Sequence, residues 1–131
     1  MGTGTATEWN VAVGSGLLRL AAGASLLRFR GQAIKWSGGD PSDPTLRALF
    51  TYWGVRDLTV GLSTLVATRP GRDVPRQVLV QGAADASDGA LVIAAMRRGL
   101  FPRTRGIGLV GLCWGTAAAD VAVAWRLKRG L

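Results

Sequence analysis

Four stretches of this chain, roughly 9–28, 46–68, 75–97 and 105–126, are apolar and each close to spanning length. A helix needs ~20 such residues to cross a bilayer. Every stretch carries charge well inside it. Arg19 falls near the middle of the first, Arg56 and Asp57 in the second, and Asp85 and Asp88 in the third. Asp120 sits about four residues from the centre of the fourth, about 6 Å from the common level at 1.5 Å per residue. A charge at a helix centre costs on the order of 2.5–3.5 kcal/mol on insertion scales. Side chains at equal depth avoid that cost only by turning inward and meeting one another.

The alternative is a water-soluble helical protein, and the patterning argues against it. Hydrophobic residues make up 48% and charged ones 18%, and the apolar segments lack the charged face that a solvated amphipathic helix shows. "LVIAAM" and "VAVGSGLL" are apolar or small on every side. The net charge of +8 comes from 14 Arg and 2 Lys against eight acids. These cations do not form one stripe, as a nucleic-acid surface would require. They punctuate segment ends: Arg28, Arg30 and Lys35; Arg69, Arg72 and Arg76; Arg97, Arg98, Arg103 and Arg105. That placement suits loops at a membrane surface, and no nucleic-acid partner is expected. The first and third loops share one side and carry the larger basic share, so the positive-inside rule leans towards placing them in the cytoplasm.

Local signals mark the segment ends. Asp43 before Pro44 reads as an N-cap with proline at the first helical position, and Asp73 serves the third segment with Pro75 in its first turn. Trp9, Trp36 and Trp125 fall near segment ends, where amphipathic rings favour the interface. The break "RFRGQAIKWSGGDPSDPT" reads as a long loop. No basic region followed by an Ala-x-Ala site opens the chain, so no cleaved leader is expected. The expected architecture is all-α: a single integral membrane domain over 1–131, built as a four-helix transmembrane bundle in the bacterial plasma membrane.

The chemistry available is narrow. Histidine is absent and Cys113 is the only cysteine. A metal centre and a cofactor are therefore not expected, and Cys113 reads as a small hydrophobe. The glycines of "VGSG" and "GIGLVG" lack a strand–turn–helix setting, which rejects a phosphate loop. What remains is Arg19, Arg56, Asp57, Asp85, Asp88 and Asp120: two cations facing four carboxylates. Asp85 and Asp88 are three apart and point the same way on a helix, with Gln81 one turn earlier. Ser15, Gly16 and Gly23 near Arg19, and Gly108, Gly111 and Gly115 in the fourth segment, would let neighbouring helices approach closely. Such a cluster can exchange protons, with arginine steadying developing negative charge. Tyr52, Trp53 and Trp114 lie near the same level, where their rings could bind substrate and stabilise a cation. The competing view is that the ions only lock helices together.

"GVRDLTVG" at 54–61 and "DASD" at 85–88 resemble motifs of an uncharacterised family of small four-span bacterial and fungal membrane proteins. That family carries Gly-x-Arg-Asp in its second helix and paired aspartates in its third. The resemblance implies the same membrane fold, draws attention to Arg56, Asp57, Asp85 and Asp88, and favours a lipophilic substrate. The functional expectation is a cofactor-free acid–base enzyme on a lipophilic small molecule: an isomerase, cyclase or epoxide-opening catalyst. The alternatives are a proton- or cation-coupled carrier, working as a homo-oligomer, and a non-catalytic subunit of a membrane complex. A polar pocket open sideways to lipid favours the enzyme, a path to both faces the carrier, and paired ions with no cavity the subunit.

Overall fold

Asp43 and Asp73 begin two of the long helices as their sequence signals require. The Asp43 carboxylate accepts from the Leu46 N–H and that of Asp73 from the Arg76 N–H, each with proline in the first turn. A computed structural model describes residues 6–69 and 73–129; Arg72, counted with the second loop, lies outside them. The described residues form five helices: α1 (Ala6–Arg28), α2 (Arg30–Trp36), α3 (Pro44–Val66), α4 (Val74–Arg97) and α5 (Arg103–Arg129).

The all-α class is as expected, but the four-helix transmembrane bundle is not. The fifth helix is α2, inside the stretch read as a long loop. Its seven residues are too few to register as a span, yet Gln32, Ala33, Ile34 and Lys35 are all helix-compatible. Backbone bonds Phe29 N–H to Ser25 O and Ala33 N–H to Phe29 O carry the helical path across the bend at Phe29. Ile34 is wholly buried and pins α2 to Leu46 and Phe50. The second correction concerns spans. Three helices are long and apolar enough to cross a membrane: Trp9–Arg28 of α1, α4 and α5. Helix α3 is as long as α1 but is not among them. Arg47, Arg56, Asp57 and its Thr and Ser residues dilute its apolar content.

Left-handed glycines turn the chain at one end. Gly38 (φ 81°) follows α2 and Gly99 (φ 72°) follows α4. After α4 the Leu100 N–H returns to the Ala95 carbonyl, closing the helix in the manner a C′ glycine permits. The long helices then pack as two intimate antiparallel pairs, α1 on α3 and α4 on α5. Between α1 and α3 the backbones nearly touch. A Cβ at Gly23 would lie 2.6 Å from the Gly54 carbonyl oxygen, and one at Gly61 would lie 2.8 Å from that of Gly16. In the second pair Gly82 faces Ala117, Gly89 receives the Trp114 ring and Gly106 receives Met96. The glycines expected to serve there, Gly108, Gly111 and Gly115, do not: a Cβ on any of them would meet nothing.

Backbone contact between the two pairs is sparse, and side chains join them in three layers. Ile34, Leu46, Phe50, Trp53, Val92, Ala95 and Phe101 form an apolar cluster at the end holding α2 and the α4–α5 turn. Ala12, Val74, Val78, Ala124 and Leu127 form another at the opposite end. The charged residues lie between. Outside, Leu17, Leu18, Val55, Leu62, Leu112 and Val121 are exposed. Ions inside and leucines outside is the arrangement lipid favours, since intramembrane charge faces the protein interior.

Candidate functional site

Arg19 of α1 and Arg56 of α3 organise the central layer. Arg19 Nη2 lies 2.6 Å from Asp85 Oδ2, and its Nη1 lies 3.2 Å from Asp57 Oδ1. Asp120 is at the edge, 3.6 Å from Arg19 Nη2. Arg56 Nη2 sits 2.7 Å from both Asp57 Oδ1 and Asp88 Oδ2, and Nη1 is 3.4 Å from Asp85 Oδ1. All six charged residues predicted from the sequence are thus brought together. Their distribution also explains how the pairs adhere. The α1/α3 pair contributes two cations and one anion, and the α4/α5 pair three anions. Opposite net charges meet across an otherwise thin interface, in surroundings where little water screens them.

Gln81 closes this layer on one side. Ser15 Oγ donates to Gln81 Oε1 at 2.6 Å and Arg19 Nε does so at 3.1 Å. Gln81 Nε2 donates to Thr64 Oγ1 at 2.7 Å, and Thr64 donates in turn to the Val60 carbonyl. Gln81 and Thr64 are buried, and these bonds end on the protein itself. The cluster is plugged towards the termini.

On the other side it is open. A cavity of about 560 Å³ runs from Arg56, Asp57 and Asp88 towards α2 and the start of α5. Its walls include Leu26, Phe50, Trp53, Val92 and Leu109, with Cys113 beside them and Trp36 and Arg105 at the mouth. Arg105 Nη1 donates to the Trp36 carbonyl at 3.0 Å, tying α5 to α2 there. Leu26, Ala33 and Trp36 also line a second groove, which continues over Ala22, Ser25 and Phe29 on the exposed side of α1 and α2. Leu26, Ala33 and Trp36 thus form a wall shared by the cavity and this outward-facing groove. A volume of this size lies in the range of small-molecule sites.

Of the aromatic and amide residues predicted to bind substrate, only Trp53 lines the cavity. Tyr52, its neighbour, projects outward and is half exposed. Gln81 belongs to the plug. Trp114 lies against α4 over Gly89, its indole N–H 3.3 Å from the Ala86 carbonyl, and serves packing. Arg19, Asp85 and Asp120 stand behind the floor of the cavity, which Arg56, Asp57 and Asp88 form. Sequence reasoning missed Phe50, Leu26, Trp36 and Arg105 as cavity residues. Apolar residues in apolar segments carry no distinguishing signal, and the two mouth residues were assigned to loops and interfaces. It also missed Ser15 and Thr64 as partners of Gln81, though Ser15 lies one turn before Arg19.

A scan against models of protein families and searches of the curated proteins and of the solved structures found no match to this chain. The function must therefore be read from the site.

Proposed function

We propose that this chain is a small integral membrane enzyme, set in the bacterial plasma membrane, that performs cofactor-free acid–base chemistry on a lipophilic small molecule. One observation carries the reading: an apolar cavity, separated from an outward-facing groove only by Leu26, Ala33 and Trp36, that is lined by two carboxylates bridged by one guanidinium. A lipophile entering past Leu26 and Ala33 would meet Asp88 and Asp57 at the far end. One carboxyl donates a proton to a double bond or epoxide oxygen. The other carboxylate removes a proton from a neighbouring carbon, so no proton is gained or lost overall. Arg56, within 2.7 Å of both, holds whichever group is ionised and favours the charge that develops. Asp85 and Arg19 support it from behind. The plug at Gln81 and Thr64 weighs against a carrier, which needs access from both faces.

The bare side of α5 supports self-association. Gly111 and Gly115 lie one turn apart with open space before them, and small residues let lipid-embedded helices approach closely.

The test is to purify the protein in mild detergent, identify co-purified lipophiles by mass spectrometry, and incubate them with fresh protein in deuterated water. Wild-type protein is expected to place deuterium in the lipophile or convert it, and Asp88→Asn to do neither. A lipophile held tightly by wild-type protein without exchange or conversion would overturn the enzyme reading.

A further inference from the structure

Asp88 is 4% exposed and Trp53 8% exposed, and each buries a polar atom with no hydrogen-bond partner among the described residues. These are Asp88 Oδ1, an acceptor, and Trp53 Nε1–H, a donor; the two side chains are neighbours but do not reach the geometry of a direct hydrogen bond. Arg56 Nε is a further buried donor without a partner. All three side chains line the same cavity. Buried polar groups are almost always paired, because leaving one bare forfeits its hydration with nothing in return. Unpaired atoms of both kinds on neighbouring side chains that line one cavity point to an atom supplied from outside.

The kind of atom can be narrowed. A hydrocarbon satisfies neither group. An ether oxygen accepts from Trp53 and leaves Asp88 Oδ1 bare. An ammonium donates to Asp88 and leaves the indole bare. A hydroxyl does both, since its oxygen accepts while its hydrogen is donated. We infer that the ligand of this site is a lipophilic alcohol bound hydroxyl-inward, accepting from Trp53 Nε1–H and donating to Asp88 Oδ1. Its hydrocarbon part lies along Phe50, Val92 and Leu109 and leaves over Leu26 and Ala33 towards the lipid-facing groove. This deepens the proposed function and rests on its premise that a lipophile enters the cavity.

The test uses the full chain in nanodiscs and a dodecanol carrying a photoreactive diazirine at the tail end. Crosslinks are mapped by peptide mass spectrometry, and unlabelled competitors are added at matched mole fractions in the bilayer. Labelling is expected at cavity and groove residues such as Leu26, Ala33 and Leu109. Dodecanol should compete about tenfold better than dodecyl methyl ether, dodecane or dodecylamine. Trp53→Phe keeps the aromatic wall but removes the donor, and should reduce the alcohol's advantage several-fold. Tyr52→Phe, on the outer surface, should not. Equal competition by ether, alkane and alcohol would overturn the hydroxyl assignment while leaving lipophile entry intact. A clear preference for dodecylamine would overturn it in favour of a cationic ligand. Labelling confined to the outer surface of the helices would overturn the entry premise and the alcohol together.

Discussion

Arg19 and Asp85 meet through two parallel hydrogen bonds, Nη1 to Oδ1 at 3.1 Å and Nη2 to Oδ2 at 2.6 Å, joining α1 to α4. This fork-to-fork geometry is the strongest form of the contact. Both residues also have further partners: Asp57, Asp120 and Gln81 for Arg19, and Arg56 for Asp85. Removing one partner of a buried pair is far worse than removing both, because it strands a charge. Arg19→Leu is therefore expected to destabilise the protein by about 3–5 kcal/mol, and Arg19→Leu with Asp85→Leu by markedly less. Unfolding in mixed micelles, followed by circular dichroism, measures both. A double variant as unstable as the single one would show that the pair is not the joint between the helix pairs.

Asp85 and Asp88 should part company when neutralised. From the sequence alone both look equivalent, expected to tolerate asparagine in folding and to lose activity. The structure separates them. Asp85 touches both arginines, while Asp88 pairs with one arginine, Arg56, through Oδ2 and leaves Oδ1 without a hydrogen-bond partner. Asp88→Asn is expected to fold, because its amide oxygen still accepts from Arg56, which keeps Asp57 and Asp85 as ionic partners, and to abolish turnover. Asp85→Asn should cost more in stability than Asp88→Asn. Melting temperature and lipophile conversion, measured on the same preparations, report the two effects separately.

The α1/α3 seam offers a test against its own neighbours. A side chain at Gly23 or Gly61 would collide with backbone oxygen, whereas one at Gly14 would meet nothing. Gly23→Val and Gly61→Val are expected to destabilise by about 1–3 kcal/mol or more through overpacking. Gly14→Ala should be neutral or stabilise by up to about 1 kcal/mol, as expected in a helix interior. A thermal unfolding series in one detergent ranks the three, and equal losses at all of them would contradict the close backbone approach.

Much of this was legible in the sequence for a single reason: charge in an apolar segment has few places to go. Equal depth sufficed to group Arg19, Arg56, Asp57, Asp85 and Asp88, and Asp120 joined at the edge as its offset implied. The two N-caps were readable because Asp–Pro and Asp-x-Pro act locally. What stayed hidden depends on rotation about helix axes. Tyr52 and Trp53 are adjacent, and periodicity alone does not say which one faces in. The same applies to Gly111 and Gly115, whose small-residue spacing promised close packing inside the fold and instead lies on its surface, and to Gly108, which borders the cavity. Helix α2 was missed because one buried residue, Ile34, holds it, and a single apolar side chain makes no period.

That anchor supports a last prediction. Ile34 is wholly buried against Leu46 and Phe50, whereas Trp36, two residues on, is 82% exposed. Besides Ile34, α2 is held by the bond from Arg30 Nη1 to Thr51 Oγ1 of α3 and, at the mouth, by the bond from Arg105 to the Trp36 carbonyl. Ile34→Ala would ordinarily cost about 2–5 kcal/mol in a core. Here the loss should fall mainly on α2, because the long helices keep their own contacts. Amide hydrogen exchange over residues 30–37 should rise at least tenfold, while exchange near Gly54 and Asp85 stays as in the wild type. Since Ala33 and Trp36 stand between the cavity and the outward-facing groove, a loosened α2 should also speed both entry and loss of a bound lipophile. Uniformly faster exchange along every helix would mean instead that Ile34 supports the whole fold, and that the mouth has no independent hinge.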